Sequence, residues 1–114
     1  LGNRENYALD KYRVNNNFVR AEFDIYCNWE GIPPIYRVYV NDELFTERTW
    51  AWPVTWHLTQ ILQIQAPPGE YRVELRPVGP NLAAFECRNF KIGVGEATWT
   101  DPDYVSLRHT LKVH

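Results

Sequence analysis

The stretch Val19-Arg20-Ala21-Glu22-Phe23-Asp24-Ile25-Tyr26-Cys27 decides the fold. Its odd positions, Val19, Ala21, Phe23, Ile25 and Cys27, are apolar, and Arg20, Glu22 and Asp24 lie between them. A period of two is the mark of a strand with one dry and one wet face, because successive side chains leave a pleated backbone on opposite sides. The same rhythm continues outward from it. Pro33-Pro34 interrupts the chain, and Ile35 to Val40 then carries Tyr36, Val38 and Val40 on one side. Asn41-Asp42 follows, and both residue types tolerate the positive φ of a tight hairpin turn, so Leu44 to Trp50 reads as the returning strand.

Beyond Pro53, Trp56, Leu58, Leu62 and Ile64 begin another alternation, broken by Gln60. Ala66-Pro67-Pro68-Gly69 is the strongest turn signal, after which Tyr71, Val73 and Leu75 alternate with Arg72, Glu74 and Arg76. Pro77-Val78-Gly79-Pro80-Asn81 reads as a loop. The apolar phase then slips, from Phe85 and Cys87 to Phe90, Ile92 and Val94, which predicts a β-bulge near Arg88-Asn89. A last strand is expected from about Tyr104 to Val113, with Val105, Leu107, Leu111 and Val113 in phase. Tyr7 to Val14 reads as one more strand or as part of an arm over residues 1–17. No segment carries a 3.6-residue stripe. The expected fold is an all-β antiparallel β-sandwich of roughly seven or eight strands, jelly-roll-like because its loops are uneven and Pro-rich, with a closed barrel as the competing arrangement.

The 114 residues suffice for a single domain, 1–114. Apolar residues make up 45% and charged residues 23%, which argues against disorder. No apolar run approaches the roughly 20 residues that cross a bilayer as a helix. Twelve Lys and Arg against fourteen Asp and Glu leave a net charge of −2, which argues against nucleic acid or an anionic membrane as partner. Starting at Leu1, the numbering reads as beginning inside a longer or processed chain. Cys27 and Cys87 admit two readings, a disulfide across the sheets or two small buried thiols. An immunoglobulin pattern fails, since Phe85 rather than Tyr precedes Cys87 by two residues and Trp29 follows Cys27 too soon.

Catalytic and cofactor motifs are lacking. The only serine, Ser106, has no nucleophile elbow, and His57, His109 and His114 form no metal-binding pair. Asp42, Glu43 and Glu47, with Arg48, cluster on the predicted hairpin. Two carboxylates such as Glu43 and Glu47 are the equipment of a small hydrolase, but charged hairpin residues read first as a solvated face that discourages edge pairing. Asp101-Pro102-Asp103, with Glu96 nearby, offers oxygen ligands for calcium and is equally turn chemistry.

The five tryptophans are the most informative feature. Trp50 and Trp52 flank Ala51 and so project from one face of a strand, Trp56 follows a proline bend, and Trp29 and Trp99 fall in predicted loops. An indole closes the end of a sandwich, or it stacks on a sugar or a partner's pocket while its N–H holds a polar group. Five in so small a domain point to at least one at the surface. Trp29, Trp50, Trp52, Trp56 and Trp99 are therefore the candidate aromatic binding surface, and Asp42, Glu43, Glu47 and Arg48 the candidate binding hairpin.

The run Tyr36 to Trp50, "YRVYVNDELFTERTW", with Ala66-Pro67-Pro68-Gly69-Glu70-Tyr71 after a gap, resembles a group of short uncharacterised proteins encoded by tailed phages of marine cyanobacteria. The resemblance spans about residues 18 to 92. It implies a phage-encoded β-module, a structural, decoration or assembly protein of the virion or host cytoplasm, and transfers no catalytic residue. The "VYVN" hairpin and Trp-bearing loops are also similar to those of β-sandwich carbohydrate-binding modules, whose calcium-ligand pattern has no counterpart here. The sequence thus supports a non-enzymatic interaction module without cofactor, its partner another protein or a second copy of itself. The alternative is a lectin-like module with a Trp platform for a glycan.

Overall fold

The structure is a computed structural model that describes residues 17–79, 83–103 and 105–114. Among these residues eight strands follow in chain order: β1 (Asn17–Asn28), β2 (Ile35–Val40), β3 (Glu43–Thr49), β4 (His57–Ala66), β5 (Gly69–Val78), β6 (Ala84–Val94), β7 (Ala97–Trp99) and β8 (Arg108–Val113). They form two antiparallel sheets, β4-β1-β6 and β3-β2-β5-β8-β7, stacked as a β-sandwich. The arm or strand expected at Tyr7–Val14 lies outside the described residues, as do Pro80-Asn81 and Tyr104.

The alternation on β1 places Val19, Ala21, Phe23, Ile25 and Cys27 in the interior, each at most 2% exposed. Facing them from the larger sheet are Tyr36, Val38 and Val40 of β2, Val73 and Leu75 of β5, and Leu111 and Val113 of β8. Each wholly buried large apolar side chain stabilises the fold by roughly 1.5–3 kcal/mol relative to exposure, so this stripe is the main cohesive element. Gln60 does not break the β4 pattern. It shares the inner face with Leu62 and Ile64 and is itself buried.

Asn41 and Asp42 both adopt positive φ, 50° and 67°, between the paired residues Val40 and Glu43, giving the two-residue hairpin read from the sequence. The turn is also pinned laterally. Asn41 exchanges two hydrogen bonds with the Arg72 backbone of β5, its N–H donating to the carbonyl at 2.8 Å and its Oδ1 accepting from the amide at 2.7 Å.

The bulge expected near Arg88-Asn89 is present. Glu22 pairs with Lys91 and Asp24 with Arg88, so two residues of β6 oppose Phe23, and Asn89 takes φ 57°. A second slip was not foreseen. Arg20 pairs with Val94 and Ala21 with Ile92, which makes Gly93 an extra residue and turns Val94 outward, away from the core phase assigned to it.

Other corrections follow from neighbours that local sequence does not disclose. Pro77 and Val78 belong to β5 rather than a loop. Pro77 pairs with Tyr36 on one side, while β8 has no paired residue beyond Glu74 on the other, so the missing N–H breaks no ladder. Trp99 is not in a loop but ends the three-residue β7, paired with Leu111. Val105 is exposed, because the last strand begins only at Arg108.

Gly95 turns the chain from β6 into β7 at φ 97°, and a Cβ there would run into the Phe18 carbonyl oxygen. Gly95→Ala is therefore expected to lower the urea midpoint more than Asn41→Ala. The latter should cost about 1–3 kcal/mol through the lost Arg72 bond and the positive φ, and Asn41→Gly should recover the φ part alone. Equal midpoints for Asn41→Ala and wild type would refute the pinned-turn account.

Candidate functional site

Three of the five tryptophans fall into two groups of rings. Trp99 is buried in the first, edge-on to Phe23 and Phe90, whose own ring stacks on His109 at 3.7 Å. Its indole N–H donates across the sandwich to the Lys91 carbonyl at 2.9 Å, which ties β7 to β6. The second group gathers Trp50, Trp52, Tyr36 and Phe85, with Trp50 and Trp52 centroids 5.3 Å apart. Trp50 is wholly buried, its amide donating to the Pro34 carbonyl at 2.7 Å. Trp29 joins this end by donating from its indole nitrogen to the Trp52 carbonyl at 2.9 Å.

Trp50 and Trp99 are thus removed from the expected binding surface, since each indole is consumed by packing between the layers. Trp29 and Trp52 are half-buried, and Trp56 is 56% exposed. Trp50 and Trp52 do meet, as their spacing suggested, although both lie beyond the end of β3.

Beside the second ring group runs an open groove of about 450 Å³, lined by Tyr26, Asn28, Val54, Phe85, Glu86 and Arg88 among others. Three pieces of chain build it: the end of β1, the start of β6 and the segment between β3 and β4. Phe85 is shared with the buried rings. Arg88 pairs with Glu86 and lies over the Tyr26 ring at 4.8 Å, and the His57 ring sits 5.3 Å from that same tyrosine. Trp56 stands in the chain between Val54, which lines the groove, and His57. A cation, a carboxylate and the half-buried rings of Tyr26 and Phe85 therefore converge at one end of the sandwich, a combination suited to binding a mixed polar and apolar surface.

Tyr26, His57, Glu86 and Arg88 were not singled out from sequence. They fall on the wet phase of their strands, where a charged or polar residue carries no signal of its own. The one available hint was the predicted bulge at Arg88-Asn89, since a bulge re-aims the side chains beside it. Behind Arg88, Asp24 is buried on the outer face of the small sheet. It accepts from Thr59 Oγ1 at 2.7 Å and from Asn89 Nδ2 at 2.9 Å, so the bulge is fastened to β1.

The hairpin residues do not join this site. Asp42 is paired with Arg72 and, at 2.7 Å, with Arg76, while Glu47 accepts from Arg37 Nε at 2.6 Å. Glu74 receives Arg76 and Arg108, and those hydrogen bonds, Arg76 first, hold its carboxyl below the usual range despite partial burial. These groups form an ion-paired layer on the outer face of the five-stranded sheet. Glu43 is exposed at the first position of β3. Arg48 faces Tyr36 across the β2–β3 pairing, on the overhanging inner side of the edge.

Cys27 and Cys87 are free, buried thiols on adjacent strands of one sheet, not on opposite sheets as a cross-sheet disulfide requires. Burial pushes Cys27 up to about 11 and Cys87 to about 12. Tyr36 is raised to about 12, chiefly by burial, with the Arg48 charge opposing and the two cysteines adding slightly. Among the described residues no three His, Cys, Asp or Glu side chains gather as a metal site; Asp101 adopts φ 51° in its turn.

These three groups are neutral in the fold, and their folded values lie above the ordinary 9.0 of a thiol and 10.0 of a tyrosine. Their contribution to stability is full below pH 9.0 and is lost as pH rises toward about 12. Chemical denaturation across that window should show a falling midpoint. At pH 8 a thiol reagent should label the native chain far more slowly than the chain in urea, and equal rates would contradict the burial of the cysteines.

No protein-family model, curated protein or solved structure matches this chain.

Proposed function

We propose that this β-sandwich is a non-enzymatic interaction module, a phage structural, decoration or assembly component that docks a protein partner at its aromatic end. One observation carries the reading. Trp56, more than half exposed, follows the groove-lining Val54 by two residues, and the open groove itself offers Tyr26, Phe85 and the Arg88–Glu86 pair. Aromatic and Arg side chains around a partly desolvated hollow are of the kind that dominate protein interfaces.

The chemistry of the remaining groups agrees with a role without catalysis. The thiols are driven toward their unreactive protonated form, and the Glu47 carboxylate is engaged by Arg37. The phage assignment draws on the resemblance of residues 18 to 92 described above.

The lectin-like alternative draws on the same exposed ring. A glycan stacked on Trp56 or Tyr26, with hydroxyls held by Glu86 and Arg88, would use the groove equally well.

Co-sedimentation of the chain with particles of the phage that encodes it is the decisive measurement. The wild-type chain should be retained, and Trp56→Ala or Arg88→Ala should weaken retention by roughly tenfold or more, the usual effect of removing an interface anchor. A chain absent from particles would reject the assembly role. A shift in tryptophan fluorescence on titration with a glycan, abolished in Trp56→Ala, would establish the lectin reading instead.

A further inference from the structure

The edges of the two sheets are unequal. β3 carries Glu43, Glu47 and Arg48 and is interrupted by a register shift near Phe45. β6 carries Glu86, Arg88 and Lys91 and two bulges, and β7 has only three residues. Charges, bulges and shortness are the devices that keep sheet edges from pairing with another chain.

β4 has none of them. Among the described residues it is an edge strand of the three-stranded sheet, ten residues long, without Asp, Glu, Lys, Arg, Pro or Gly, and its ten-residue register with β1 is unbroken. Its outer side chains are His57, Thr59, Ile61, Gln63 and Gln65, and Ile61 is 44% exposed. At its middle sits Gln60, 95% buried on the inner face by its 5% exposure. The amide nitrogen of Gln60 donates to the Ile61 carbonyl at 3.1 Å, whereas its Oε1 has no hydrogen-bond partner among the described residues. A buried amide oxygen left unpaired is costly, and an amide nitrogen has a second N–H to give.

We propose that two copies of this chain pair antiparallel along the free edge of β4, with Gln60 on the two-fold axis. Directly opposed residues of an antiparallel pair share a face, so the register must join even positions to even and odd to odd. Placing Gln60 opposite Gln60 sets Leu58 against Leu62 on the inner face. On the outer face it sets Thr59 against Ile61 and His57 against Gln63. Each Gln60 Oε1 then accepts the spare amide hydrogen of its counterpart, and the two small sheets become one of six strands.

A strand from an unrelated protein would satisfy the open main-chain groups just as well. A second copy presents by symmetry an amide at the position where one is needed, together with a strand free of charge along its length. A single buried polar pair that fixes register is a known device in symmetric assemblies. The inference does not depend on the groove at the aromatic end, and it stands or falls separately.

Sedimentation velocity on the purified chain, from micromolar to sub-millimolar concentration, should show a monomer–dimer equilibrium. Two double variants at exposed positions read the register. His57→Glu with Gln63→Glu opposes like charges across the axis and should weaken the dimer by roughly tenfold or more, while His57→Lys with Gln63→Glu opposes unlike charges and should keep it. Gln60→Cys should give a disulfide-linked dimer on mild oxidation, with wild type giving none. A monomer at every concentration, equal dissociation constants for the two charge variants, or a failure of Gln60→Cys to cross-link would each overturn the proposal.

Discussion

The structure depends on one constraint: the apolar stripe of β1 must be sealed from water by other strands, since the described residues include no helix to cover it. Val19, Ala21, Phe23, Ile25 and Cys27 occupy the middle strand of a sheet only three strands wide. The covering layer is wider, so β2, β5 and β8 supply the opposing side chains and β3 is left overhanging. Most other features answer to this mismatch. Large rings fill the places where two layers of unequal width do not meet evenly. Trp99 and Trp29 lend their indole nitrogens to carbonyls of neighbouring segments rather than to solvent.

The bulges of β6 serve the same end. An uninterrupted strand would carry Phe85 and Cys87 out of phase with Phe90 and Ile92. The extra residue near Asn89 brings Phe90 back to the interior, and Gly93 then releases Val94 to the surface. The first bulge is held by the buried carboxylate of Asp24, which takes both Asn89 and Thr59 as donors. Arg88, the last residue in regular register before that bulge, lines the groove with Glu86 and Tyr26.

How much of this was legible beforehand follows from the range of each signal. The β1 alternation, the Asn41-Asp42 turn and the Asn89 bulge are local patterns, and each is found where expected. Burial of an indole is not local. Trp50 and Trp99 pack against residues far away in the chain, and nothing within a few positions of either distinguishes it from the exposed Trp56. Pro77 read as a loop residue because a proline is tolerated in a strand only where one side lacks a partner, and that depends on where β8 starts. The groove was invisible for a further reason. Tyr26, Glu86 and Arg88 sit on faces that the alternation marks merely as wet, and their convergence comes from the pairing of β1 with β6.

The overhanging β3 is fastened at both ends. At one end Asn41 and Asp42 hold to Arg72 and Arg76, and at the other the buried Trp50 donates to Pro34. Between these anchors its side chains are mostly solvated on both faces. Apart from Phe45, which packs against the core, and Glu47, which Arg37 engages, the positions of β3 are thus open to sequence drift and to the display of foreign peptide segments, since little in the interior reads their identity while their location is guaranteed by neighbours that need not change.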